Sequence, residues 1–233
     1  MKGSVYLIPT VLYENALETI PPYVLETIKK CDAFFVENER TTRRFFKSIW
    51  REMVIEDYQW FAIHKAEHDV LKKFIQLLKD GKNVGIVSEA GCPGVADPGQ
   101  VLIEAAQNIN AEVKPLVGPS SILLALMASG MNGQKFQFVG YLPIDNAARR
   151  SAIKEIENES SNKKSTQIFI ETPFRNNQLI KEILASCKSE TRLCIAVDIT
   201  APTEKIQTKT IAEWRKQTPD IHKRLAIFLL HAT

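Results

Sequence analysis

The sequence predicts an α/β fold in which short buried strands alternate with helices, and three observations carry it. Short apolar or β-branched runs recur at residues 4–8, 33–36, 84–87, 136–139 and 168–170, and each ends in turn-forming or polar residues. Segments with helical spacing lie between them. The run at 84–87 then empties into a loop with Gly91, Pro93, Gly94, Pro98 and Gly99 within nine positions. Loops at the carboxyl ends of parallel strands are where open α/β sheets bind ligands.

Taken in order, residues 4–8 form a strand that stops at Pro9 and Thr10, where a ligand can meet the chain. Pro21 and Pro22 suit the start of a helix over 23–30, and a strand resumes at 33–36. At its carboxyl end stands Glu37-Asn38-Glu39-Arg40-Thr41-Thr42-Arg43-Arg44. Arginines beside carboxylates bind oxyanions through the guanidinium fork or orient a base; a capped, solvated helix start is the plainer alternative.

A strand is expected around 53–58. His64-Lys65-Ala66-Glu67-His68 formally fits the H-x-x-E-H zinc peptidase pattern, which needs a third, distant acidic ligand. A helix-start or substrate-side role for His64 is the competing possibility. Leu71, Phe74, Ile75 and Leu78 make the apolar stripe of a helix closed by Asp80-Gly81.

In the central loop, three glycines permit backbone angles and close approach denied to other residues, while two prolines stiffen the path. A plain connection would need only about two to six residues. A helix over 100–108 and a strand over 112–117 follow. Gly118-Pro119-Ser120-Ser121 then opens an apolar helix over 122–129. Free N–H groups and two hydroxyls at a helix start suit a carboxylate, although a serine N-cap needs only one of them.

The second half repeats the alternation. A strand over 136–139 runs into Gly140-Tyr141-Leu142-Pro143, a charged helix covers 147–157, and 159–165 is expected to be a mobile polar loop. The strand at 168–170 ends in Glu171-Thr172-Pro173-Phe174-Arg175, and three more strands are expected at 192–199, 205–210 and 224–230.

Composition bounds the function. With 233 residues and 45% hydrophobic content, the chain can bury one large core or two modest ones. A net charge of +3 gives no whole-chain polyanion signal, so nucleic acid would be met by local clusters such as Arg40, Arg43, Arg44 and Lys47, or Arg149, Arg150 and Lys154. Cys31, Cys92, Cys187 and Cys194 form no C-x-x-C pair, which argues against a zinc knuckle or a disulfide framework and fits a reducing cytoplasm. The N-terminus lacks an export h-region, and no uncharged run reaches the ~18 residues of a membrane span. No G-x-G-x-x-G follows a strand, which disfavours a Rossmann nucleotide site.

These motifs resemble those of the tetrapyrrole methylase superfamily, in particular its branch that methylates a cytidine ribose in small-subunit ribosomal RNA. SEAGCPGVADPG over 88–99 is similar to S-D-A-G-T-P-G-[IV]-S-D-P-G, and the stretch from Glu37 keeps Glu37, Arg40, Thr42 and Arg43 of E-D-T-R-H-T-R-[KR]. Gly118 to Ser121 resembles G-[PV]-S-[SA], the stretch from Gly140 resembles G-[FY]-L-P, and that from Glu171 resembles [YF]-E-[AS]-P-[HY]-R. Two segments depart: the family's P-T-P-I-G-N loop reads Pro9-Thr10-Val11-Leu12-Tyr13-Glu14 here, and its R-E-L-T-K reads Val197-Asp198-Ile199-Thr200-Ala201.

The resemblance implies two α/β domains, over 1–117 and 118–233, with the active site in the cleft between them and a homodimeric assembly. It implies an S-adenosylmethionine-dependent methyltransferase that needs no metal. The expected cofactor contacts are Pro9, Ser88, Glu89, Ala90, Gly91, Cys92, Pro93, Gly94, Val95, Ala96, Ser120, Ser121, Ile122, Tyr141, Ile170, Ala196 and Ala226. A ribose hydroxyl is a poor nucleophile until its proton is accepted. Glu37, His64, Asp97 and Glu171 are the candidate bases by residue type and strand-end position, and Arg40 and Arg43 are candidate phosphate anchors. Three functions remain open at this level: methylation of ribosomal RNA, methylation of a tetrapyrrole or other small molecule, and cofactor binding without chemistry.

Overall fold

The computed structural model describes residues 2–63 and 67–232. The chain divides into two units, Met1–Ser120 and Ser121–Thr233.

The first unit is a wholly parallel sheet of β1 (Ser4–Ile8), β2 (Ala33–Val36), β3 (Gln59–Ala62), β4 (Val84–Val87) and β5 (Glu112–Pro115), in the order β3-β2-β4-β1-β5. Its helices are α1 (Tyr23–Ile28), α2 (Glu39–Ile49), α3 (Glu67–Lys79) and α4 (Gln100–Asn108). On one face Ile8, Phe34, Val36 and Val87 pack with Val24 and Ile28 of α1 and Phe45 and Phe46 of α2. On the other, Val5, Phe35, Val84 and Ile86 pack with Phe74 and Leu78 of α3 and Leu102 and Ala106 of α4. Strands covered on both faces must be apolar throughout, which is why β2 reads AFFV and β4 reads VGIV.

Register aligns Ile8 with Val87 and Val87 with Val36, so β1, β2 and β4 end level. Neighbouring β1 and β4 send their following helices, α1 and α4, to opposite faces. Chain divergence of that kind leaves a crevice at the carboxyl ends of the strands.

The second unit contains α5 (Ser121–Ser129), β6 (Phe136–Tyr141), α6 (Asn146–Lys163), β7 (Thr166–Ile170), α7 (Asn176–Ser186), β8 (Arg192–Val197), β9 (Lys205–Thr210), α8 (Ile211–Lys216) and β10 (Ala226–His231). Its sheet is mixed, in the order β6-β7-β10-β8-β9, with β6 and β7 parallel and the other pairs antiparallel. The core joins both sheet and helices, with Phe169, Phe228, Ile153, Ile183 and Trp214 buried together.

Three expectations are corrected. The strand around 53–58 is instead a 3-10 turn, Ile55–Asp57, and the strand follows at Gln59–Ala62. Pairing with β2 sets that register, because it stacks Trp60 against Phe34 at 5.0 Å and Phe61 against Phe35 at 4.8 Å. The loop at 159–165 is helix as far as Lys163. Ser160 is fully buried there, donating to the Ser165 carbonyl at 2.7 Å and accepting from the Ala232 N–H at 2.9 Å, so a polar stretch is held by tertiary partners.

Arg149, read as a phosphate ligand, is 2% exposed. It grips both carboxylate oxygens of Glu182 at 2.7 Å and donates to the Pro143 and Ile144 carbonyls. A guanidinium so committed has no donor left for RNA.

Candidate active site

In the first unit, three loops meet at the ends of adjacent strands. Thr10, just past β1, exchanges main-chain hydrogen bonds with Gly91 at 2.9 and 3.3 Å, and its hydroxyl donates to the Ser88 carbonyl at 3.2 Å. Gly91 sits at φ +77°, a left-handed angle that favours glycine. Gly118, past β5, lies against Pro9 so closely that a Cβ there would fall 2.1 Å from the Pro9 Cβ. Cys92 completes the tie, with its thiol donating to the Gly118 and Pro119 carbonyls at 3.6 and 3.5 Å. Burial pushes that thiol above its ordinary pKa, which keeps it a donor rather than a nucleophilic thiolate.

Asp97 shapes the same loop from within. Its Oδ1 accepts from the N–H groups of Gly94 at 2.9 Å and Gly99 at 2.7 Å, and its Oδ2 is buried without a partner among the described residues. Pro93 is buried beside this turn, whereas Val95 and Ala96 stand exposed. Ala96 has φ +57°, and among the described residues nothing accepts from the N–H groups of Cys92 and Ala96. Unpaired main-chain donors on a loop stiffened by Pro93 and Pro98 fit a ligand rich in acceptor oxygens and nitrogens, as an adenosyl amino acid is.

Glu37 follows β2, and its Oε2 accepts from the Glu89 N–H at 2.5 Å. On α2, Asn38 caps the helix by accepting from the N–H groups of Arg40 and Thr41. Arg40 is exposed, and no described residue pairs with its guanidinium. Arg43 is engaged: it pairs with Glu39 at 2.8 Å and lies 4.9 Å from the centre of the Trp60 ring. His64 lies outside the described residues, so the H-x-x-E-H pattern has no described geometry. Among the described residues no group of three or more His, Cys, Asp or Glu side chains could hold a metal ion.

A cavity of about 290 Å³ opens between the loop after β1, α2 and the loop after β4. Thr10, Asn15, Thr41, Arg44, Ser48 and Ser88 give it polar walls, and Leu12, Leu17 and Phe45 give it apolar ones. Arg44 and Glu14 form an ion pair at 3.2 Å on its wall. Asn15, Thr41 and Ser48 are not among the site residues the sequence points to; β4 pairs with both β1 and β2, and that pairing brings the loop after β1 and helix α2 to one cavity.

In the second unit, pairing sets three predicted positions, Tyr141, Ile170 and Ala196, in one row across the sheet, and a fourth, Ala226, one residue before that row on β10. Tyr141 is opposite Ile170, Ile170 opposite Ile227, and Ile227 opposite Ala196. Tyr141 is 62% exposed at the end of this row, whereas Ala196 is fully buried. Ser121 and Ile122 open α5, with Ser120 immediately before it.

Glu171, a candidate base, is a buried carboxylate whose Oε1 accepts from Arg175 Nε at 2.9 Å, Arg175 Nη2 at 2.6 Å and the Thr172 N–H at 2.6 Å. The 197–201 segment is a tight turn with Asp198 and Thr200 at φ +50° and +71°. There Asp198 Oδ2 accepts from Arg224 Nε and the Thr203 hydroxyl, both at 2.8 Å.

The family model for the tetrapyrrole (corrin/porphyrin) methylases matches residues 16–214, and the chain belongs to that family. It is an S-adenosylmethionine-dependent methyltransferase. It is 30% identical over 211 residues to a Bacillus subtilis protein named ribosomal RNA small subunit methyltransferase I, covering 91% of this chain and 68% of that one. The chain spans as little as 55% of another relative of that name, from Micromonospora olivasterospora. In fold it is similar to the methyltransferase CobJ, with TM-score 0.65, 17% identity and coverage of 99% of this chain and 95% of that one. It is also similar to the Thermus thermophilus uroporphyrin-III C-methyltransferase in complex with S-adenosylhomocysteine, with TM-score 0.57, 13% identity and coverage of 98% and 97%.

Proposed function

We propose that the chain transfers a methyl group from S-adenosylmethionine to the 2′-hydroxyl of a cytidine ribose in the RNA of the small ribosomal subunit. The observation that carries this is the match, over 91% of the chain, to a relative named for methylation of that RNA. The cavity between α2 and the loop after β4 supports it: its hydroxyl, amide and guanidinium groups suit a nucleotide, and Arg40 stands exposed on the same helix for a phosphate.

The bound cofactor supplies a methyl group already made electrophilic by its sulfonium. The chain's own part is to align the acceptor, exclude water and take a proton. That cofactor would give its methyl group to the ribose oxygen and leave as a neutral thioether, its sulfur keeping the electron pair of the broken S–C bond. The hydroxyl proton then goes to a base.

Glu37 fits that role best. It follows β2 beside the loop after β4, and one oxygen is fixed by the Glu89 N–H. Asp97 instead holds the turn of its own loop, and Glu171 is committed to Arg175. For the cofactor, the main chain over 91–96 with Pro9, Ser88, Glu89 and Ala90 is the first unit's contact set. Tyr141, Ile170, Ala196 and Ala226, with Ser121 and Ile122, are the second unit's. We infer further a cytoplasmic homodimer, as the family resemblance implies.

The test is transfer of labelled methyl from S-adenosylmethionine to small ribosomal subunits lacking their native ribose methylation, with a tetrapyrrole precursor in parallel. Label in a single ribose, lost in Glu37→Gln, is the expected result. Label only in the tetrapyrrole would overturn the RNA substrate, and no label in either would leave cofactor binding alone.

A further inference from the structure

We propose that Phe174, with Lys223 beside it, is a stacking platform for an unpaired base of the RNA, which rests on the substrate proposed above. Phe174 follows β7 and is 68% exposed, the highest figure for a phenylalanine, tyrosine or tryptophan among the described residues. It is also held in place. Its turn is fixed by the Glu171 and Arg175 clamp on either side, with the Arg175 N–H donating to the Thr172 carbonyl at 2.9 Å.

From the chain before β10, the Lys223 N–H donates to the Pro173 carbonyl at 3.0 Å, which joins the two loops at the base of the ring. His222 meets the ring edge-on, with centroids 6.0 Å apart and planes at 75°. The Lys223 ammonium lies 5.9 Å from the ring centre. Asp220 holds this second loop by accepting from the His222 N–H at 3.1 Å and from the Asn177 amide at 2.7 Å.

An exposed aromatic between two loops tied by hydrogen bonds, with a cation against it, has the parts with which proteins hold single-stranded RNA. The ring offers a face to a base, and the ammonium offers a charge to the adjoining phosphate. Stacking is sequence-tolerant, so the platform would hold a nucleotide flanking the one methylated. Lys223 sits at φ +63°, a left-handed angle that a non-glycine residue adopts only where its surroundings impose it. Site-bearing loops are where such angles collect.

The experiment uses the full chain with Phe174→Ala, Phe174→Trp and Lys223→Ala. Binding of a labelled single-stranded RNA dodecamer is measured across a salt series, and methyl transfer to unmethylated small subunits is followed in parallel. Phe174→Ala should weaken RNA binding and raise KM for subunits about tenfold, with S-adenosylmethionine affinity and kcat unchanged, while Phe174→Trp keeps wild-type binding. Lys223→Ala should lower the slope of log K against log salt by about 0.7.

Wild-type KM in Phe174→Ala, with methyl transfer to RNA intact, would overturn the platform and leave the proposed function standing. A wild-type chain that neither binds nor methylates RNA would overturn both. Loss of a dimer in Phe174→Ala, seen by sedimentation, would assign the ring to contact with a second copy instead.

Discussion

Glu37 Oε2 accepts a hydrogen bond from the main-chain N–H of Glu89 at 2.5 Å, joining the end of β2 to the loop after β4 across 52 positions of sequence. One carboxylate oxygen thus helps to position the loop after β4. Glu37→Gln keeps an acceptor for the Glu89 N–H but removes the proposed base. Its kcat for methyl transfer should fall by about 10²-fold or more, while calorimetric affinity for S-adenosylmethionine stays near wild type. Glu37→Ala should lose both.

Asp97 separates a shaping role from a chemical one. Its Oδ1 receives two main-chain N–H bonds, which the carbonyl of Asp97→Asn can still accept. Asn should retain most turnover, whereas Asp97→Ala frees two donors and should lower stability by about 2 kcal/mol and weaken cofactor binding. Thermal unfolding with and without cofactor checks both. Loss of turnover in Asn with cofactor affinity intact would move Asp97 back among the bases.

Gly118 is fixed by Pro9 rather than by its own backbone angle. Gly118→Ala places a methyl 2.1 Å from the Pro9 Cβ, so one of the two loops must move. A cost of about 1–3 kcal/mol is expected, together with weaker cofactor binding, measured by denaturant unfolding and calorimetry. Wild-type stability would mean that the loops yield more freely than their packing indicates.

Arg149 and Glu182 form a buried pair with side chains 2% and 11% exposed. Hydrogen bonds from Arg149 hold the Glu182 carboxyl below the usual carboxylate range, against the opposing effect of burial. A depressed folded pKa contributes stability that is complete above the unfolded value, about 4.3, and is lost as pH falls through the folded value. Arg149→Ala should therefore destabilise by about 3 kcal/mol at pH 7. That difference should shrink in unfolding titrations taken below about pH 4.

Arg40 and Arg43 stand three residues apart on α2 in unlike settings. Arg40→Ala should leave the melting temperature unchanged while lowering the salt slope of RNA binding by about 0.7. Arg43 holds Glu39 and the Trp60 ring, so Arg43→Ala should lower the melting temperature by several degrees.

The sequence by itself determined the alternation of strands and helices, because burial on both faces forces the unbroken apolar runs of β2 and β4 and because glycine and proline mark where chains turn. It also determined the family, since SEAGCPGVADPG over 88–99 is long and specific. Helix ends set by distant partners were hidden from it. Nothing local tells Ser160 that Ser165 and Ala232 will satisfy its hydroxyl, and so the last turn of a helix reads as a polar loop.

Only the tertiary structure decided what each charged side chain does. Arg149 and Arg40 look alike in sequence, yet one is enclosed with Glu182 and the other faces solvent. Asp97, Glu37 and Glu171 were equal candidates until their partners separated a loop tie, a strand-end carboxylate and an arginine clamp. A charge's role depends on which dipoles and counter-charges lie within a few ångströms, and those neighbours come from strands that pair far apart along the chain.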